Sequence, residues 1–453
     1  MTTNPTIRNL MSKVIAVSFM ITTFVLFAMT SWYGKPNFAK LFSYQGSDYP
    51  NNPLVSPSET GFGIHYFGDL LESVKIISTS GSPYVKASGT YLPFSYAVLR
   101  IFGSIDYPLL CLMFLISVAV GIAVVTQISY KLNSNIGRVD IFIILLSWPM
   151  LSGIDRGNIQ VFLLLLLVLA IVLFSMGYNI ASAITIGLIG AMKGYPILFL
   201  LIFLGRSQWR KNIFTGLSTF TIATTVSLLT FTGGFLPNLR GFIHNFTASE
   251  TAGYFPVAYN NSLNGLFESV VRLNLFGMGN FFDTVNNYQR PISIILILIT
   301  IITCTMTTNM EVRLLLIACV LILTAPYSPA YMLGLLMAPA VGLHLISRPR
   351  RTHIVLTVLI AILLSPKMFP IANLGTPFDP LTPTLNSVLN PLILLTILVS
   401  LIIFTLSQHP ILKSRRTFTL MTWLLADAYL SAPLSGTTQN VGTRKRPLET
   451  DAR

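Results

Sequence analysis

The sequence predicts an all-α polytopic membrane protein. About 11–12 transmembrane helices are expected, with two long outward-facing loops carrying short interfacial helices. Three observations lead there. Of the 453 residues, 53% are hydrophobic and only 10% are charged, against about 25% charged in soluble domains, and the mean hydropathy is +0.70. The apolar residues gather into about a dozen runs separated by short polar connections. Lys and Arg fall in alternate connections, as the positive-inside pattern requires.

The elements follow in order. After Arg8 and Lys13, the run Val14 to Trp32 is long enough to span, and Trp32 and Tyr33 close it as interfacial anchors. No small-residue cleavage site follows, so a retained first span is expected. Further runs lie at about 106–130, 139–153, 158–176, 179–192, 195–205, 212–232, 291–308, 312–325, 329–347, 353–365 and 388–406. Several are too short for a straight crossing, and Pro196, Pro326 and Pro329 interrupt the pattern where short runs meet. Broken helices at membrane depth need cover from protein or water, which points to a cavity.

With the N-terminus inside, the inward connections carry Lys131 and Arg138; Arg206, Arg210 and Lys211; Arg313; Arg348, Arg350 and Arg351; and Lys413, Arg415 and Arg416. Two long segments, 33–105 and 233–290, then face outward. Within them Ser73 to Ser78 and Gly265 to Leu273 read as short amphipathic interfacial helices, and Tyr91 to Ile105 as a surface-lying or span-starting stretch. Residues 1–416 form one transmembrane module. Thr417 to Leu430 reads as an interfacial helix, and 431–453, with Arg444 to Arg446, as a basic disordered cytoplasmic tail.

The net charge of +14 belongs to this topology and not to nucleic acid. Cys111, Cys304 and Cys319 sit inside apolar runs with no metal-ligand or disulfide spacing, as small buried hydrophobes. No metal site and no cofactor motif is found: HExxH, CxxC, GxSxG and phosphate-loop patterns are absent from any suitable context. Asn245-Phe-Thr and Asn260-Asn-Ser match glycosylation acceptors.

The stated orientation gathers Asp69, Glu72, Arg156, Lys193, His244 and Tyr331 at or near the outer surface, where ionisable residues beside apolar spans are costly and often functional. Asp69 followed by Glu72 fits a helix start with Asp69 as N-cap, and the same ionised carboxylate suits a general base. Lys193, in AMKGYPILF, either snorkels to the interface or supplies a point charge for a lipid-linked phosphate where Gly194 and Pro196 open the helix. Arg156, in GIDRGNIQ, either pairs with Asp155 or holds a phosphate bidentately.

In order, the chain carries a Gly-Asp in the first outer loop, Pro83-Tyr84 with Tyr91 to Phe94, Arg156-Gly157-Asn158, Lys193 with Pro196, Asn260 to Arg272 and Ala325 to Leu333. Together these motifs resemble glycosyltransferase family 87 of the GT-C superfamily, which includes polyprenyl-phosphate-mannose mannosyltransferases and an arabinofuranosyltransferase of cell-envelope synthesis. The resemblance runs from the first span to about residue 345. It implies a GT-C-like integral membrane inverting transferase in the plasma membrane, with both termini cytoplasmic. The donor would be mannose or arabinofuranose on a polyprenyl phosphate, the acceptor an outward-facing glycolipid or polysaccharide, and the surrounding partner membrane lipid.

By that resemblance Asp69 is the catalytic base, Lys193 and Arg156 hold the donor phosphate, and Glu72, Tyr91, Asn158, His244, Asn261 and Tyr331 are possible substrate-binding residues. Many relatives carry Trp and His after the Ser-Pro motif; here that place reads Ala330-Tyr331, so Tyr331, His65 or His244 would take the second role. A membrane transporter or lipid flippase is the alternative, since short broken helices and intramembrane charges also suit transport. A non-enzymatic assembly scaffold, its basic tail on anionic lipid, is a third.

Overall fold

The computed structural model describes residues 67–85, 91–132, 138–251, 260–274, 288–344, 351–365 and 383–408, with a few single positions elsewhere. Most of the expected first span, His65, the 417–430 helix and the tail lie outside the described residues.

Nearly every apolar run from 106 onward is a helix. Helices α1 (Gly68–Ser80) and α2 (Pro93–Arg100) precede the long α3 (Tyr107–Leu132). The run 139–153 is split into α4 (Arg138–Leu145) and α5 (Trp148–Arg156), because Pro149 cannot continue a helix but suits the start of one. Helices α6 (Gln160–Ser175) and α7 (Asn179–Lys193) follow. A 3₁₀ helix, Tyr195–Phe203, replaces the expected span at 195–205. Then come α8 (Trp209–Thr230), α9 (Phe235–Thr251), α10 (Leu263–Leu273), α11 (Gln289–Met306) and α12 (Met310–Thr324). A second 3₁₀ stretch, Ala330–Leu336, runs into α13 (Met337–His344); α14 (Arg351–Leu363) and α15 (Leu385–Gln408) complete the set.

Among the described residues, α3, α8, α11 and α15 are long and apolar enough to cross a membrane. Each exposes large apolar residues, for example Leu112 and Ile116, Phe214 and Ile222, Ile295 and Leu298, and Leu392 and Val399. Exposed apolar stripes on long helices are what a bilayer solvates. Short helices pack inside. Residues Val312 to Leu323 of α12 are all buried, and α6 is buried along most of its length. A helix that meets protein and not lipid along its sides need not reach the full bilayer thickness, and α6, at 16 residues, is only roughly 24 Å long. This accounts for the runs that read as too short.

Small residues let these helices approach. At the α7–α8 crossing, a Cβ built on Gly187 would lie 2.4 Å from the Gly216 carbonyl oxygen, the close backbone contact that glycine permits in membrane bundles. At one end of the bundle Arg313 departs from the expected solvated inward charge. It is buried and donates to the carbonyls of Cys304 (2.9 Å), Ile202 (3.3 Å), Leu204 and Thr307. A single guanidinium thus satisfies the carbonyls left open at the ends of α11 and the Tyr195–Phe203 helix.

Candidate active site

The opposite end holds the polar cluster. Phe67 adopts a left-handed φ of 58° and its N–H donates to the Asp155 carbonyl at 2.9 Å. That bond sets the start of α1 against the end of α5. Helix α1 then begins at Gly68 with no side-chain cap, so Asp69 lies in the first turn and is not the N-cap. The capping expectation fails because a stronger partner is within reach. Arg156 Nε donates to Asp69 Oδ2 and Nη2 to Oδ1, both at 2.9 Å. Their side chains are 22% and 10% exposed, so this bidentate pair is largely desolvated and correspondingly strong.

Gly157 makes the juxtaposition possible. It ends α5 at φ 64°, and a Cβ there would lie 2.8 Å from Leu70 Cβ and 2.9 Å from Phe67 Cα. Only glycine meets both conditions. The chain turns there, and Asn158 arrives on the same carboxylate as Arg156. Asn158 Nδ2 donates to Asp69 Oδ2 at 2.6 Å and to the Tyr91 hydroxyl at 3.3 Å. Its Oδ1 accepts from the Gln160 N–H at 2.9 Å and from Lys193 Nζ at 3.1 Å. Both amide ends are therefore fixed by chemistry: two donors meet the oxygen, and the carboxylate meets the nitrogen.

Lys193 reaches this point because α7 stops at Gly194, φ 71°, and Pro196 starts the next helix. Its ammonium sits 5.1 Å from the Tyr91 ring centroid and 5.2 Å from that of Tyr331, within cation–π range of both. Burial, and then the Asp69 charge, push the Tyr91 phenol well above the ordinary tyrosine value, so its O–H remains a donor at physiological pH. Behind Lys193, Tyr195 donates to Gln160 Oε1 at 2.7 Å. Neither Tyr195 nor Gln160 stood out in the sequence. Each lies within a quoted stretch, GIDRGNIQ or AMKGYPILF, but only the fold brings the 160 and 195 positions together.

The structure thus joins Asp69, Arg156, Asn158, Lys193, Tyr91 and Tyr331. Glu72 is exposed further along α1, and His244 is exposed on α9. Asn261 is fully buried in a different network. It receives a bond from Asn390 Nδ2 at 2.8 Å, and its own N–H and Nδ2 both donate to the Ser328 carbonyl at 2.8 Å. Asn260 Oδ1 in turn accepts from the Ser328 N–H at 2.9 Å. The Asn-Asn-Ser stretch therefore clamps the Ser-Pro segment that carries Tyr331. Asn260, 1% exposed, is no glycosylation acceptor.

A carboxylate matched by three donors, with a half-buried ammonium one amide away, suits chemistry that takes up a proton and releases an anion. The sequence profile of glycosyltransferase family 87 matches residues 90–366. The chain belongs to this family. Within the matched segment lie Tyr91, Arg156, Asn158, Lys193, His244, Asn261 and Tyr331; Asp69 and Glu72 precede it. No curated protein matches the chain. As a family 87 protein it is a glycosyltransferase, and its helices are those of a polytopic membrane protein.

Proposed function

We propose that the protein moves mannose or arabinofuranose, with inversion, from a polyprenyl phosphate to a cell-envelope glycolipid or polysaccharide on the extracytoplasmic face of the plasma membrane. One observation carries this reading: Asn158 bonds the Asp69 carboxylate through its nitrogen and the Lys193 ammonium through its oxygen. A base and a phosphate-binding cation thereby share one hydrogen-bonded unit. Asp69 takes the proton of an acceptor hydroxyl as that oxygen attacks the anomeric carbon. The bond from that carbon to the phosphate oxygen breaks, and the lipid phosphate leaves with the electron pair. Lys193 meets the growing negative charge, and a half-buried, pre-positioned cation is effective there because it need not reorganise. Arg156 holds the carboxylate plane and presents a second cation at the same place. Tyr91 and Tyr331 confine the ammonium and offer hydroxyls to the sugar.

The test uses membranes incubated with radiolabelled polyprenyl-phosphate mannose and, separately, polyprenyl-phosphate arabinofuranose, scored for label in extracted glycolipid. Asp69→Asn is expected to lower transfer roughly 10²–10⁴-fold, the range of a general base, while purified protein keeps its melting temperature within a few degrees. No transfer by the wild type from either donor overturns the reading. Transfer by Asp69→Asn at the wild-type rate removes the base assignment.

A further inference from the structure

At the end of the bundle opposite Asp69, helices α7 and α8 begin side by side. They run in the same direction: Lys193 ends α7 at the Asp69 cluster, and Thr230, the last residue of α8, accepts from Arg100 of α2. Neither start has a side-chain cap or an acidic residue in its first turn, so both leave N–H groups open. Arg210 and Lys211 stand in the first turn of α8, where the helix dipole opposes cations. Arg206 joins them from the preceding turn. Its guanidinium lies 4.9 Å from the Phe174 ring, which brings it beside the 176–178 turn that leads into α7. All three cations are exposed, and none forms an ion pair among the described residues. Between the two starts lies Asn212. Gly216 faces Ala183 and Gly187 of α7, so Asn212, one turn earlier on the same face, is level with the first turn of α7. It is 2% exposed, and its Nδ2 has no hydrogen-bond partner among the described residues. Helical side chains lean toward the N-terminus, so this donor points to the same end as the open N–H groups. Buried amides are paired as a rule. Here the cations, the helix starts and the amide all lack the same partner, an acceptor with negative charge.

We propose that the headgroup of an anionic phospholipid from the adjoining leaflet binds between the starts of α7 and α8, its phosphate taking bonds from Arg206, Arg210, Lys211 and Asn212. A phosphate there gains from both helix dipoles and relieves the repulsion between the cations and the start of α8. The surroundings favour a lipid over a free anion. Tyr178 and Trp209 are exposed at the two starts, and such rings settle at headgroup depth. One turn further along, Ile180 and Ile184 of α7 and Phe214 and Leu217 of α8 are exposed hydrocarbon, against which acyl chains can lie. Membrane topology asks only for cations near one end of a bundle. It asks neither for an unpaired buried amide nor for two uncapped helix starts. This site is separate from the Asp69 cluster and stands independently of the transferase reading.

The test uses the purified full-length chain in nanodiscs of dioleoyl phosphatidylcholine, with and without a small share of dioleoyl phosphatidylglycerol. Native mass spectrometry reads the lipid retained, and the melting temperature is followed in parallel. Phosphatidylglycerol is expected to be retained in preference to phosphatidylcholine and to raise the melting temperature, an effect that weakens as salt rises. Arg210→Gln, at an exposed position, should reduce retention, and adding Lys211→Gln should bring the loss to roughly tenfold, as two charge-assisted bonds go. Asn212→Leu should lower retention with all three cations still present. Lys131→Gln removes an exposed cation at the far end of α3 and should leave retention unchanged. Equal retention of the two lipids, the same melting shift from inorganic phosphate alone, or a loss after Lys131→Gln as large as after Arg210→Gln overturns the site. Full retention by a folded Asn212→Leu does the same. If that variant does not fold, the exposed Arg210→Gln, Lys211→Gln pair decides, and its full retention overturns the site.

Discussion

Asn158 makes its bonds to Asp69, Tyr91, Lys193 and the Gln160 N–H with one amide group. Truncation to Ala leaves buried polar groups on both sides without that partner, each costing about 1–3 kcal/mol. Part of the loss falls on the geometry that couples base to cation. Asn158→Ala is therefore expected to lower kcat roughly 10–10²-fold, read in the radiolabel assay on protein shown to be folded by size-exclusion chromatography. The turn beside it separates strain from collision. Gly157→Ala meets both a left-handed φ of 64° and neighbours at 2.8–2.9 Å, whereas Gly177 has φ 85° and nothing within 4 Å of its would-be Cβ. Gly177→Ala should show the backbone penalty alone, about 1 kcal/mol. Gly157→Ala should add the clash and lower the melting temperature by clearly more, with loss of transfer. Equal shifts for the two would mean that α1 moves aside easily. At this scale the sequence was partly legible. Arg156, Asn158 and Lys193 stood in motifs, and the fold does gather them. The role of Asp69 at its helix start was misread, because local spacing favours a cap while the winning partner lies 87 positions away. Tyr195 and Gln160 left no local signal at all.

Helices are where apolar runs speak most clearly, and from residue 106 onward the runs and the helices coincide almost throughout. Ends were legible wherever Gly or Pro marks them, as at Gly157, Gly194 and Pro149. What composition could not show was which helices face lipid and which are interior, since both are apolar on all sides. Nor could it show that Arg313, placed by charge counting among solvated inward residues, closes carbonyls within the bundle. The α7–α8 crossing depends on a feature of this hidden kind. Gly187 approaches the Gly216 carbonyl, and Gly216 in turn faces Leu200 Cδ2 at 2.4 Å from its would-be Cβ. The obstruction at Gly187 is main chain and cannot rotate away. Gly187→Val should push α7 off α8 and carry Lys193, at the end of the same helix, away from Asn158. Expected are a destabilisation of about 1–3 kcal/mol, typical of overpacking, and a loss of transfer exceeding what the fraction unfolded explains. A variant with wild-type melting and wild-type rate would show that α7 does not transmit its packing to Lys193.

On the scale of the molecule, the helices run back and forth between two chemically distinct ends. Asp69, Arg156 and Lys193 collect at one. At the other, Arg206 lies over the Phe174 ring near the end of α6, at 4.9 Å, close in sequence to the exposed Arg210 and Lys211. Of the residues expected on one face, Asp69, Arg156, Lys193 and Tyr331 do meet at this end, whereas Glu72 and His244 are exposed outside the cluster. The direction of that face across the membrane is part of the proposal: by the positive-inside pattern the basic end would lie in the cytoplasm and the carboxylate end would face out. The proposed transfer on the outer face requires this orientation. It is open to direct measurement, because Cys111, Cys304 and Cys319 are all buried and should give little background with thiol reagents. A cysteine placed by Lys75→Cys, exposed on α1, should react with a membrane-impermeant maleimide in intact cells. One placed by Arg210→Cys, exposed at the start of α8, should react only after the membrane is permeabilised. The reverse pattern would place Asp69 on the cytoplasmic side, and an outer-face transfer from polyprenyl phosphate would then have no carboxylate to accept the proton.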